Sequence, residues 1–156
     1  MKYIFRLGVA ISFIALVTGC VGIYYKEAAS KEPHALIQFQ KKKGSLLTGF
    51  GRMAVSPLEI NGMPLNKHFK LSRDYRVHPG KVSVLTHAPL SGGLMAIGFV
   101  KFEAVSGDVY KISRILNEKN VEFNVTNSEG VVVASASADK QPANQNTYVP
   151  VYVPVE

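Results

Sequence analysis

The chain has 156 residues, 47% of them hydrophobic, with 18 basic and 11 acidic side chains and a net charge of +7. That length is one domain's worth, and a core of this size stands without metals or cross-links. Lys2 and Arg6 precede the first apolar run, and the remainder nets +5. This charge is too mild, and too thinly spread, for a nucleic-acid binder, which clusters its cations on one face and interleaves aromatic rings.

The residues up to Arg6 carry two positive charges, and an apolar run from Leu7 to Val17 follows. A basic start, a short apolar stretch and small residues make a secretory signal. The run is too short for a membrane span, which needs about 20 apolar residues. Val17-Thr18-Gly19-Cys20 then closes the segment, and Cys20 is the one cysteine, so an internal disulfide is excluded. These four residues resemble the lipobox of bacterial lipoproteins. The resemblance implies cleavage before Cys20, recognition of Val17, Thr18 and Gly19 by the signal peptidase, and acyl chains on the Cys20 thiol. Two or three chains on one cysteine make attachment to a bilayer effectively permanent, whereas one chain binds reversibly. Residue 21 is Val rather than Asp, and likeness to the usual sorting pattern then implies an outer membrane.

Four segments follow: a cleaved signal helix over 1–19, an acylated tether over 20–33, a β-domain over 34–139, and a linker and tail over 140–156. Gly22, Ala28-Ala29-Ser30 and Pro33 break any amphipathic pattern in the tether, which suits a spacer between membrane and domain. Tyr24 and Tyr25 suit either a membrane interface or packing on the domain's edge. Lys41-Lys42-Lys43, the only dense basic cluster, reads as a solvated turn or strand end. Its alternative is attraction to anionic lipid, worth roughly 1 kcal/mol per charge.

From His34 onward the period is two. Ile37 and Phe39 alternate with Gln38 and Gln40, and Leu58 and Ile60 flank Glu59. Asn61-Gly62 is the strongest short hairpin signal, and Pro79-Gly80 fits the centre of a type II turn before Val82-Ser83-Val84-Leu85. Val100 and Phe102 alternate with Lys101 and Glu103; Ser106-Gly107-Asp108 turns the chain into Val109-Tyr110-Lys111-Ile112. Val121, Phe123 and Val125 alternate with polar residues, and Asn127-Ser128-Glu129-Gly130 leads to Val131-Val132-Val133. About seven or eight short strands at regular turn spacing predict an all-β chain, an antiparallel β-sandwich or small barrel.

Tyr148-Val149-Pro150-Val151 repeats at once as Tyr152-Val153-Pro154-Val155. Proline every fourth residue forbids a central strand. The repeat reads as an edge strand, a disordered tail, or a partner-binding arm presenting Tyr148, Pro150, Tyr152 and Pro154.

Residues for catalysis are sparse. His34, His68, His78 and His87 lack the close pairing of zinc ligands, although His78 and His87 fit opposite positions of one hairpin. Gly-x-Ser-x-Gly is absent, and Ser91-Gly92-Gly93 reads as a loop. Glu59, Asp74, Glu103, Asp108, Glu122 and Glu129 fall on outward or turn positions, not in the facing pair that glycoside hydrolysis needs. No phosphate loop or dinucleotide pattern is present. The expectation is a non-enzyme with no cofactor, no metal, no nucleic acid and no small-molecule substrate.

Ile60-Asn61-Gly62 followed by Val77-His78-Pro79-Gly80-Lys81-Val82-Ser83-Val84, and then Phe102-Glu103-Ala104 through Tyr110-Lys111-Ile112, resembles the strand signature of transthyretin-like and PEGA-type sandwich modules. The resemblance covers roughly residues 55 to 135 and implies a surface-displayed binding or spacer module, without site residues to carry over. The expected function is a membrane-anchored envelope lipoprotein, a binding or structural module for another envelope protein or polymer. The alternative is a periplasmic inhibitor of a cell-wall hydrolase such as lysozyme, presenting Gly49 to Met53 or Leu90 to Leu94.

Overall fold

A computed structural model describes residues 24–41, 54–65 and 74–143. The lipobox residues Val17, Thr18, Gly19 and Cys20, the loop from Gly49 to Met53, His68 and the tail residues Tyr148, Pro150, Tyr152 and Pro154 lie outside the described residues.

The fold is all-β, two five-stranded sheets packed face to face. The strands are β1 (Ala35–Phe39), β2 (Ser56–Ile60), β3 (Met63–Pro64), β4 (Tyr75–Val77), β5 (Gly80–Pro89), β6 (Leu94–Ala104), β7 (Val109–Leu116), β8 (Asn120–Thr126), β9 (Val132–Asp139) and β10 (Gln141–Pro142). The first sheet runs β4-β1-β7-β8-β9 and the second β10-β6-β5-β2-β3. The ten strands among the described residues exceed the seven or eight expected, because β3, β4 and β10 have three residues or fewer. Such short pieces show no alternation.

Among the described residues every pairing is antiparallel except one: β1 lies parallel to β7, with Leu36 opposite Val109 and Phe39 opposite Ile112. The Asn61-Gly62 hairpin forms as expected, both residues having positive φ, the combination a right-twisted two-residue turn requires. Pro79-Gly80 has a larger task than a hairpin. It carries the chain from β4 in the first sheet to β5 in the second.

The alternating residues fill the space between the sheets. Ile37, Ile60, Ile112, Val84, Val121, Phe123 and Val125 are fully buried there, each contributing about 1.5–3 kcal/mol by leaving water. The sheets converge where β6 faces β8 and β9. Ala96 and Gly98 on β6, and Ala134 and Ala136 on β9, are small enough to permit that approach. On the opposite side the edges are β4 and β3.

That opposite side is closed by the segment expected to be a free tether. Tyr25 donates its N–H to Pro64 O at 3.0 Å and its hydroxyl to Arg76 O at 2.8 Å; Ala28 N–H reaches Arg76 O at 3.2 Å. Arg76 Nε lies 3.5 Å from Glu27 Oε2, and Ala28 is only 1% exposed. A reciprocal pair between Ala29 and Glu32 turns the strap back toward β1. Residues 24–33 therefore belong to the fold rather than to a spacer. Their sequence hides this because isolated anchors such as Tyr25 and Ala28 have no period. At the other limit, β10, Gln141–Pro142, extends the domain into the expected linker.

Candidate functional site

Sheet edges carry unpaired backbone donors and acceptors, and proteins blunt them with short strands, cations, proline or covering segments. Among the described residues three of the four edges follow that rule. β3 and β10 have two residues each and β4 has three, with the strap lying along β3 and β4. The fourth edge, β9, is eight residues long and reads Val-Val-Ala-Ser-Ala-Ser-Ala-Asp, with no proline, lysine or arginine. Among the described residues it has a strand neighbour, β8, on one side only.

The start of β9 is also the most apolar exposed part of the described surface. Val131, Val132 and Val133 are about half exposed, Val132 at 54%. The ladder slips between Val125 and Thr126, and this bulge gives Val132 and Val133 their outward placement. Val105, likewise exposed, lies in the adjoining β6–β7 loop. Asp108 fastens the two loops together, its Oδ1 accepting Val109 N–H at 2.8 Å and Ser128 N–H at 3.3 Å. Those bonds, with the Ser128 side chain foremost, hold the Asp108 carboxyl below its ordinary range. Tyr110 completes the corner, its hydroxyl donating to Glu103 O and accepting Val105 N–H at 3.0 Å.

At the far end of the sandwich a cleft of about 290 Å³ is lined by Pro89, Leu90, Leu94, Leu116, Arg114 and Lys140. Its cations are occupied with backbone carbonyls. Arg114 Nη1 donates to Pro89 O at 2.7 Å and Lys140 Nζ to Glu118 O at 2.9 Å. The Leu90 to Leu94 loop beside it is a tight turn closed by Leu90 N–H to Leu94 O, and Ala143 N–H ties it down at Gly93 O. Ser91, Gly92 and Gly93 at its tip are exposed.

The two outer faces differ. The first sheet shows polar side chains such as Gln38, Lys111, Ser113 and Glu122. The second presents Leu85 opposite Phe99 and His87 opposite Ile97. Leu85 is 7% exposed yet stands outside the inter-sheet core. Among the described residues His87 Nδ1 is buried without a hydrogen-bond partner, and burial holds the imidazole pKa below its ordinary value against a backbone contact with Ser56.

His78 and His87 do not come together. His78 is exposed before β5 starts, and β5 runs unbroken from Gly80 past His87, which puts Gly80 alone about 23 Å from His87 along the extended strand. The six carboxylates noted in the sequence are scattered: Asp74 and Glu122 on the first sheet's side, Glu59 and Glu103 on the second, Asp108 and Glu129 in loops. Among the described residues no three acidic, histidine or cysteine side chains gather as metal ligands. No helix among the described residues is long and apolar enough to cross a membrane.

The valines of β9 were visible in the sequence as a strand. Their place at an open edge was not, since edge position depends on sheet order. Comparison with family models, curated proteins and solved structures returns no match.

Proposed function

We propose that this chain is a lipid-anchored, non-enzymatic binding module of the cell envelope, taking an extended segment of another envelope protein along β9. The anchor rests on the basic start, the apolar run and Val17-Thr18-Gly19-Cys20. The binding role rests on one observation: among the described residues β9 is the long edge without a guard, and it opens with two exposed valines that continue a third, Val131. Strand addition draws affinity from main-chain hydrogen bonds and specificity from alternate side-chain contacts. Each such bond contributes a net of only about 0.5–1.5 kcal/mol, so the valines supply the apolar contact that makes a short added strand hold.

A photo-crosslinking residue placed at Ser137, on β9, should give one discrete adduct in intact cells. The same residue at Gln38, on β1 three strands away from β9, should give none. Val132→Lys should weaken the Ser137 adduct without unfolding the domain, because Val132 is already half exposed. Equal adducts at both positions, or none at either, would remove β9 from the binding role. Separately, Cys20→Ala should abolish acylation and leave precursor. Normal maturation of that variant would remove the anchor.

A further inference from the structure

The strap changes the geometry of the anchor. If the domain began at His34, the fourteen residue steps from Cys20 would allow roughly 48 Å of slack at about 3.4 Å per residue. Tyr25, however, is already bonded to β3 through Pro64 O and to β4 through Arg76 O. Five residue steps separate it from Cys20, at most about 17 Å fully extended. The side of the sandwich nearest the acyl chains is therefore the β3/β4 side.

The surface of that side suits a headgroup layer. Tyr24 is half exposed, Lys26 is exposed beside it, and Met63 is exposed on the neighbouring hairpin. An aromatic ring with a polar tip favours the membrane–water boundary, and a cation next to it is attracted by anionic lipid. The strap's one acidic side chain near this point, Glu27, is already paired with Arg76. β9 lies at the opposite edge of the first sheet, four strand spacings from β4, or about 19 Å.

From this juxtaposition we infer that the β3/β4 side lies on the bilayer surface, with Tyr24, Lys26 and Met63 at the headgroups and β9 turned away. The inference rests on the lipid-anchor reading proposed above. It makes the strap an orienting device as well as a seam.

Acyl chains occupy the Cys20 thiol in the mature protein, so an introduced cysteine is the only one that takes a fluorophore. Full-length acylated protein carrying Met63→Cys or Ser137→Cys would be reconstituted into phosphatidylcholine vesicles with a fraction of anionic lipid and headgroup-attached quencher. The probe at position 63 should be quenched several-fold more than that at 137. Equal quenching, or stronger quenching at 137, in protein shown by mass to be acylated would overturn the orientation while leaving the anchor standing. Mature protein without acyl mass on Cys20 would overturn the anchor and the orientation together.

Discussion

The ring of Phe123 on β8 occupies the space where a side chain on Gly98 of β6 would begin. A Cβ built on Gly98 would lie 2.6 Å from Phe123 Cε2 and 2.9 Å from Cγ, closer than carbon atoms tolerate. Phe123 is fully buried, and its ring spans the two sheets only because β6 presents bare backbone there.

Gly98→Ala should therefore destabilise the domain by about 1–3 kcal/mol, the usual cost of overpacking. Phe123→Ala should cost about 3–5 kcal/mol through the opposite fault, a cavity. In urea melts, the pair Gly98→Ala with Phe123→Leu should be more stable than the sum of the single changes. Strict additivity would mean that the two residues do not share this space.

His87 gives the fold a dependence on mild acid. Its folded pKa is lowered, chiefly by burial, so below about pH 6.5 the unfolded chain takes up a proton that the folded chain refuses. Stability then falls as pH drops through that window, because the unfolded state binds more protons. Denaturation midpoints should decline from pH 7.5 to pH 5 in the wild type and change less in His87→Gln. Parallel profiles would exclude His87 as the cause.

Asp108 acts lower on the scale. Its carboxyl is held below the ordinary range by hydrogen bonds from Ser128, the side chain first, and from Val109. Its contribution is complete above the unfolded value, near pH 4, and disappears as pH falls through the lower folded value. Asp108→Asn should flatten the stability profile between about pH 4 and pH 2. It should also loosen the β8–β9 loop, seen as faster amide exchange at Ser128. Unchanged exchange there would show that the carboxylate does not join the two loops.

Alkali tests the strap. Burial first, and Glu27 second, push the Tyr25 phenol up to about 12. Above pH 10 the unfolded chain loses this proton before the folded one does, so stability should fall as pH rises from 10 toward 12. Tyr25→Phe should remove that slope. At neutral pH it should cost about 1 kcal/mol for the lost bond to Arg76 O. A wild-type slope retained in Tyr25→Phe would assign the effect to another phenol.

The sandwich was legible where local rules decide structure. Val121, Phe123 and Val125 point inward as their period of two requires, and Asn61-Gly62 turns where positive φ is cheapest. Three features escaped. The parallel β1–β7 pairing joins residues far apart in sequence, with no turn between them to announce it. Most of β9 alternates alanine with serine, a contrast too slight to read as inside and outside. Leu85 is buried on an outward position, so alternation alone misassigns its face. The open edge shares the first difficulty, since an edge exists only once the whole sheet order is known.

The parallel ladder also sets a schedule. Leu36 to Phe39 reach their β7 partners only when the chain as far as Ile112 is available. Loop-closure entropy makes such distant pairings late events. A chain stopped at Lys101 should stay without cooperative structure; a sharp thermal transition in that fragment would contradict this. β1 has a nearer partner in β4, but its other side must wait for residues that follow it by about seventy positions, and a strand whose sheet closes that late is one that can be threaded through a narrow channel before it folds.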